Sequence, residues 1–175
     1  SGGTLISLSW YGVYRSQSVS IMGGEFYVLS LEDGEGEVAV CTESFTMDGG
    51  LLVIVGDEGI VANYITVNGG RIEIEAENDV IRNNDDYYNG LPDDAFLTVN
   101  GGVISLYSEY EDGIDFVGAV TVSGGELSIE AIYGVYVLDG AFTISGGEVD
   151  LYGAAYADGE SAIVISGATV YLSGD

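Results

Sequence analysis

Carboxylate side chains gather in the segments between the strand-like stretches of this sequence. They occur in "GDEG", "AENDV", "RNNDDYYNGLPDD" and "SEYEDGID". Ca²⁺ takes roughly six to eight oxygen ligands, so acidic turns brought to one corner of a fold would form a calcium site. The candidate ligands are Asp57, Glu58, Glu77, Asp79, Asp85, Asp86, Glu111, Asp112 and Asp115. No EF-hand spacing or calcium-binding nonapeptide is present, so a solvated acidic surface stays the alternative.

Tyrosine is frequent, with 13 in 175 residues. A tyrosine ring on a rigid surface can stack on a sugar, while a nearby carboxylate accepts hydrogen bonds from the sugar hydroxyls. The candidates for such a surface are Tyr107, Tyr136, Tyr152 and Tyr171, together with Glu130 and Asp150. For any single tyrosine the alternative is that this residue type is favoured in strands.

Catalysis has little support from residue types. The chain has no histidine, so its one cysteine, Cys41, has no imidazole base to activate it. A metal-dependent polysaccharide lyase would need a basic residue beside its metal. The predicted neighbours of Arg71 on the adjoining repeats are apolar or hydroxylic rather than acidic. Paired carboxylates could serve a hydrolase, so a lyase or hydrolase stays a third alternative.

Charge narrows the range of partners. The chain carries 29 acidic and 3 basic residues, a formal net charge of −26. Nucleic acids and anionic membranes would be repelled by such a surface. Hydrophobic residues nevertheless make up 47% of the chain and alternate with polar ones, which predicts a folded protein with a buried face. We expect neither a nucleic-acid partner nor a membrane partner.

A glycine repeat organises the sequence. Gly-Gly pairs, or Gly-Ala at the last position, begin at residues 2, 23, 49, 69, 101, 124, 146 and 167. Each is followed by apolar residues at every second position, such as Ile72 and Ile74 or Leu127 and Ile129. A period of two over repeats of twenty-odd residues predicts an all-β, right-handed parallel β-helix of about seven to eight coils, with three short strands per coil.

Further details follow from aligning the coils. We expect residues 1–175 to form a single β-helix domain, a fragment or module of a longer extracellular protein, because the chain begins inside a repeat. The residues that close each strand are small, as in Ser108 and Ala131, which predicts a tight corner. Asp79 aligns with glycines such as Gly59, which predicts a left-handed backbone conformation at Asp79.

One part of the predicted surface is apolar. On the second and third coils the outward positions after the glycines are Tyr27, Leu29, Leu51, Val53 and Val55. An exposed apolar patch of this kind is typical of an interaction surface. It predicts a homo-oligomer or partner contact, and it supports the alternative that the chain is a structural segment of a bacterial surface adhesin.

The repeats "ITVNGGRIEIEA", "VTVSGGELSIEA" and "FTISGGEVDLYG", with "DGI", "EGI" or "YGV" steps after the strands, carry a family resemblance. From about residue 20 to the end, the chain resembles the calcium-binding, β-helical carbohydrate-binding domain family of anaerobic clostridia. The resemblance implies an extracellular, non-catalytic protein that binds plant cell-wall polysaccharides, including acidic pectin. It implies calcium ligation by Asp112, in the one intact Asp-Gly-Ile step, and by Asp57, Glu58, Glu77 and Asp79. We therefore predict a non-catalytic extracellular polysaccharide-binding module assisted by calcium.

Overall fold

The computed structural model describes residues 3–9, 14–30, 37–83, 92–158 and 163–174. These residues form an all-β solenoid of about seven turns, without a helix, which confirms the predicted fold class. The strands are β1 (Thr4–Ser9), β2 (Tyr14–Ile21), β3 (Glu25–Ser30), β4 (Val38–Met47), β5 (Leu51–Gly56), β6 (Glu58–Val61), β7 (Tyr64–Val67), β8 (Arg71–Ala76), β9 (Ile81–Arg82), β10 (Phe96–Val99), β11 (Val103–Ser108), β12 (Asp112–Val117), β13 (Ala119–Val122), β14 (Glu126–Leu138), β15 (Phe142–Ile144), β16 (Glu148–Ala157), β17 (Ile163–Ile165) and β18 (Thr169–Ser173).

The strands stack in three parallel faces. The first face holds the strands that follow the glycine pairs: β1, β3, β5, β8, β11, β18 and the beginnings of β14 and β16. The second face holds the strands that precede the pairs: β7, β10, β13, β15, β17 and the ends of β2 and β4. The third face holds β6, β9, β12, the beginnings of β2 and β4, and the ends of β14 and β16.

Aliphatic side chains fill the interior in columns. Leu52 pairs in register with Ile72, and Ile104 with Leu127, so like residues stack on successive coils. These four side chains are almost fully buried. Removing such side chains from water is the main stabilising contribution to a fold of this kind. The alternation predicted from the sequence is therefore the pattern of the core.

The second glycine of the pairs that begin at residues 23, 49, 69, 101, 124 and 146 has a backbone conformation that side chains disfavour. Gly50, Gly70 and Gly102 have φ angles of 97°, 93° and 94°. A Cβ atom on Gly50 would also lie 2.6 Å from the carbonyl oxygen of Gly24 on the coil below. Both the angle and the close approach of the coils therefore require glycine at this turn.

The left-handed conformation predicted for Asp79 is wrong. Among the described residues other than glycine, a positive φ occurs at Asp139. Ile81 pairs with Ile60 below and with Ile114 above, so Val80, and not Asp79, stands in the column of Gly59 and Gly113. Asp79 therefore stands one residue before the glycine column. The shift has a consequence for the site, because Asp79 then stands in the column of Asp112.

The predicted apolar patch lies on the first face. Tyr27 pairs with Val53, and Leu29 with Val55, on neighbouring coils. Val55 is 39% exposed, while Tyr27, Leu29, Leu51 and Val53 are half-buried. The residues are contiguous as expected. A partner contact through them stays a prediction.

Candidate functional site

A groove runs along the corner where the chain leaves the first face. It has a volume of about 740 Å³. The small residues at the ends of the first-face strands line it: Ser108, Ala131, Gly153 and Gly174. Here β14 and β16 continue through the corner, and their pairing register shifts between Glu130 and Tyr133. Small side chains and this irregularity leave a hollow beside the strands.

One wall of the groove carries an alternating row of carboxylates and tyrosines. Tyr107 pairs with Glu130, and Glu130 with Tyr152, on three successive coils. Below them, Glu75 pairs with Tyr107 and extends the row. Tyr107 is 39% and Tyr152 is 44% exposed, and Glu130 is exposed as well. Neighbouring strands lie about 4.8 Å apart, so the row repeats every two coils at roughly 9.6 Å.

The opposite wall is formed by residues just after the corner. Glu109, Ile132 and Ala154 line this side of the groove. Ile132 is 58% exposed although it is a large aliphatic residue. A hydrogen bond from the Tyr110 hydroxyl to Glu109 raises the pKa of Tyr110. The groove therefore combines aromatic rings, two exposed aliphatic side chains, Ile132 and Leu172, and two carboxylates, Glu109 and Glu130.

The other predicted ligand-binding residues lie outside the groove. Asp150 and Tyr171 pair with each other in the central outward column of the first face. Tyr136 lies on the third face, where its ring stacks on Tyr156 with a centroid distance of 4.9 Å. Tyr133 lies 5.7 Å from Tyr136 in an edge-on arrangement. The structure thus brings together Tyr107, Glu130 and Tyr152 but separates them from Asp150, Tyr171 and Tyr136.

The sequence prediction missed Tyr133 and Tyr156 as partners of Tyr136. Tyr156 pairs directly with Tyr136, twenty residues earlier in the chain, so the coil period contained the signal. The register shift between Tyr133 and Val135 hid the second relation, because residues three apart in a regular strand point to opposite faces. The result is a cluster of three tyrosines on the third face.

Three of the predicted metal ligands meet on the third face. Oxygen atoms of Asp79, Asp112 and Asp115 lie within 4.8 Å of one another. The backbone N–H of Asp112 donates a hydrogen bond of 3.2 Å to Asp79 Oδ1. All three carboxylates are partly buried. This is the arrangement expected from the register that places Asp79 beside Asp112.

The surroundings of the three carboxylates disfavour their charges. Burial, followed by the neighbouring carboxylates, raises the pKa of Asp79 to about 7. The same two causes raise the pKa of Asp112 to about 6. Hard oxygen donors so close together fit Ca²⁺, which would neutralise their repulsion, with water or ligand oxygens completing its shell.

The remaining acidic candidates have different surroundings. Glu111 is exposed, and its charge contributes to the raised pKa values of Asp79 and Asp112. Glu77 is exposed near Tyr110, whose pKa its charge raises. Neither residue belongs to the three-carboxylate group, and only Glu111 acts on the pKa values of its members. Asp85 and Asp86 lie outside the described residues.

Asp57 and Glu58 make internal contacts instead. Asp57 is 6% exposed and accepts hydrogen bonds from the backbone N–H of Glu37, at 3.0 Å, and from the side chain of Asn78. Glu58 accepts hydrogen bonds from the guanidinium of Arg82, with a closest approach of 2.8 Å. Both carboxylates therefore tie neighbouring coils together.

The described arginine side chains are both engaged by carboxylates. Arg71 pairs with Glu73 two residues along the same strand. Arg82 pairs with Glu58, and its backbone stands in register with Asp115 on the next coil. Cys41 is a half-buried free cysteine. Among the described residues there is no helix long and apolar enough to cross a bilayer.

Comparison with known protein families identifies a match to most of the chain. A family model described as "Carbohydrate-binding domain-containing protein" matches residues 41–174, which include the groove and the three-carboxylate group. No curated protein and no solved structure matches the chain. Since the match spans well over half of the sequence, the chain belongs to this family of carbohydrate-binding domain-containing proteins.

Proposed function

We propose that this protein is a non-catalytic, extracellular module that binds polysaccharide in the groove beside the first face. The observation that carries the proposal is the row of Tyr107, Glu130 and Tyr152 above a floor of small residues. Membership of a carbohydrate-binding family supports it.

The two residue types in the row have complementary roles. Tyr107 and Tyr152 are 39% and 44% exposed, and an exposed tyrosine ring can offer an apolar face to a sugar. Glu130 accepts hydrogen bonds from sugar hydroxyls between the two rings. Because all three side chains stand on rigid strands, little conformational entropy is lost when a glycan is bound.

We infer further that Asp79, Asp112 and Asp115 hold a calcium ion. Their close approach and raised pKa values support this, because a divalent cation would replace carboxylate repulsion by attraction. Asp112 and Asp115 stand in register with Tyr133 and Tyr136 on the next coil. A calcium ion here would strengthen the third face around the tyrosine cluster and offer open coordination positions to sugar oxygens.

The absence of catalysis is part of the proposal. The sequence contains no histidine. The two arginines with described side chains are each bonded to a glutamate: Arg71 to Glu73, and Arg82, which stands in register with Asp115, to Glu58. Binding a polysaccharide without cleaving it requires only the groove and its row of Tyr107, Glu130 and Tyr152.

Binding of immobilised polysaccharides and of soluble oligosaccharides tests the site. We expect Tyr107→Ala and Tyr152→Ala each to weaken binding by at least about fivefold, because each removes one stacking surface. Tyr171→Ala is the matched control, since Tyr171 is exposed on the same face but lies outside the groove. Equal losses in all three variants, or no glycan binding by the unaltered protein, would refute the proposed site.

Calcium titration by calorimetry tests the metal. The variants Asp79→Asn and Asp112→Asn are expected to abolish a binding event seen in the unaltered protein. Asp57→Asn and Asp150→Asn are controls, because Asp57 bonds internally and Asp150 lies on the first face. If calcium binds equally in all four variants, or does not bind at all, the calcium proposal is wrong while groove binding remains open to its own test.

A further inference from the structure

The groove is negatively charged as well as aromatic. Glu130 and Glu109 line it, and none of the described residues that line it is basic. Glu75 adds a third carboxylate to the same row. The nearby described cation, Arg71, lies at the other end of the strand that carries Glu75 and is paired with Glu73. A ligand in the groove therefore meets uncompensated carboxylates on a protein with a net charge of −26.

From this charge we propose that the ligand of the groove is an amino-sugar polymer with free amines, that is, a polysaccharide from which N-acyl groups have been removed. The inference rests on the proposed glycan-binding function and names the class of glycan. An ammonium group beside Glu130 would form a charge-assisted hydrogen bond. The same cation would be attracted to the faces of Tyr107 and Tyr152.

The spacing of the row supports an extended chain lying along the solenoid axis. In a flat, extended polysaccharide each sugar advances by about the length of one pyranose ring, which is close to the strand spacing of about 4.8 Å. One sugar would therefore lie over each coil. In such a chain every second sugar presents the same side to the protein. The row has the same period, because carboxylates and tyrosines alternate from coil to coil in the order Glu75, Tyr107, Glu130, Tyr152.

The other classes of glycan fit the groove less well. A uronate polymer would set its carboxylates against Glu109 and Glu130, and like charges at this range repel. An uncharged glycan would donate hydroxyl hydrogen bonds to the same glutamates, and these are weaker than the charge-assisted hydrogen bond that an ammonium group donates. A cationic glycan adds attraction between opposite charges to these hydrogen bonds and keeps the stacking on tyrosine. Long-range attraction to the acidic surface would also speed its association.

Calorimetry with three hexasaccharides tests the proposal in a slightly acidic buffer, in which sugar amines are protonated. The probes are hexamers of glucosamine, of N-acetylglucosamine and of galacturonic acid. We expect the glucosamine hexamer to bind at least about tenfold more tightly than either of the others. Its affinity is also expected to fall when the salt concentration rises from about 20 mM to about 300 mM, because the salt screens the charges.

Variants separate a specific site from attraction of any polycation. Glu130→Gln is expected to weaken binding of the glucosamine hexamer much more than binding of the N-acetylated hexamer, and so to remove most of the preference for the amine. Glu148→Gln, on the same face outside the groove, is the control and should retain the preference. Tyr152→Ala should weaken all hexamers that bind, which would not happen if the amines were merely held by scattered surface charge.

The outcomes distinguish this inference from the proposed function. Equal affinity for amine and N-acetylated hexamers, with both lost in Tyr152→Ala, would overturn the inference and support glycan binding in the groove. Tight binding of glucosamine that is unaffected by Tyr152→Ala and by Glu130→Gln would also overturn it. If none of these or other glycans binds, the proposed function fails as well.

Discussion

At the scale of single residues, aspartates in similar sequence contexts have opposite surroundings. The carboxylate of Asp57 accepts hydrogen bonds from the backbone N–H of Glu37 and from the side-chain amide of Asn78. Asp79 and Asp112 face other carboxylates and are partly removed from water. Hydrogen-bond donors stabilise a carboxylate, whereas burial beside like charges destabilises it. Binding of a cation would therefore stabilise Asp79 and Asp112, whereas Asp57 is already stabilised by its hydrogen-bond donors.

This difference predicts a pH dependence of stability in chelator. The folded pKa values of Asp79 and Asp112, about 7 and about 6, lie above the ordinary value of 3.8. The folded state therefore binds protons more tightly than the unfolded state. The stability contributed by these protonated groups is fully present below pH 3.8 and is lost as the pH rises through about 6 and about 7. Thermal unfolding in chelator across this range measures the decline.

The double variant Asp79→Asn, Asp112→Asn provides the control for that slope. Its melting temperature should decline less with rising pH, because the two titrating groups are gone. Added calcium should oppose the decline in the unaltered protein and have no such effect in the variant. A slope that is identical in the two proteins would contradict the assignment to these carboxylates.

At the scale of the element, glycines serve two different purposes. Gly50, Gly70 and Gly102 have positive φ angles in the turns before the first-face strands. Gly59, at the start of the third face, is not among the residues with positive φ. A Cβ atom on Gly59 would instead lie 2.2 Å from the carbonyl oxygen of Val80 on the next coil. The constraint at Gly59 is close packing between coils.

The steric constraint predicts the effect of Gly59→Ala. The new methyl group must push apart the backbones of β6 and the following coil, so we expect the free energy of unfolding to fall by about 1–3 kcal/mol. Urea denaturation measures this as a lower midpoint. Gly3→Ala is the comparison, since a Cβ atom there meets nothing within 4 Å, and its effect should stay within about 0.5 kcal/mol. Equal effects of the two substitutions would contradict the packing argument.

At the scale of the whole molecule, self-repulsion is a large unfavourable contribution to stability. A net charge of −26 on a chain of 175 residues favours expansion, and salt screens that repulsion. We expect the melting temperature to rise by a few degrees when sodium chloride is increased from about 10 mM to about 300 mM in chelator. Tetramethylammonium chloride should act equally, because screening needs no specific ion site. A constant or falling melting temperature would contradict this view.

Much of the fold could be predicted because every coil of a solenoid repeats the same pattern of glycine, apolar and polar residues. Ile72 and Ile104 stack because each stands at the same distance from a glycine pair, and that distance is visible in the sequence. The site was predicted less completely. Tyr107, Glu130 and Tyr152 lie together in the groove as a row, whereas Asp150, Tyr171 and Tyr136 lie elsewhere. The alternation of polar and apolar residues shows which side chains of a strand point outward, but it does not show where the surface forms a groove.

By itself the sequence determined the period, the inward columns and the acidic character of the exterior, because alternation after each glycine pair is a local property. The tertiary structure decided which side chains of successive coils are neighbours at the corners. It placed Val80 in the glycine column and Asp79 beside Asp112, and it shifted the register between Glu130 and Tyr133. Corner geometry depends on how successive coils pack, and a displacement of one residue there changes which side chains meet.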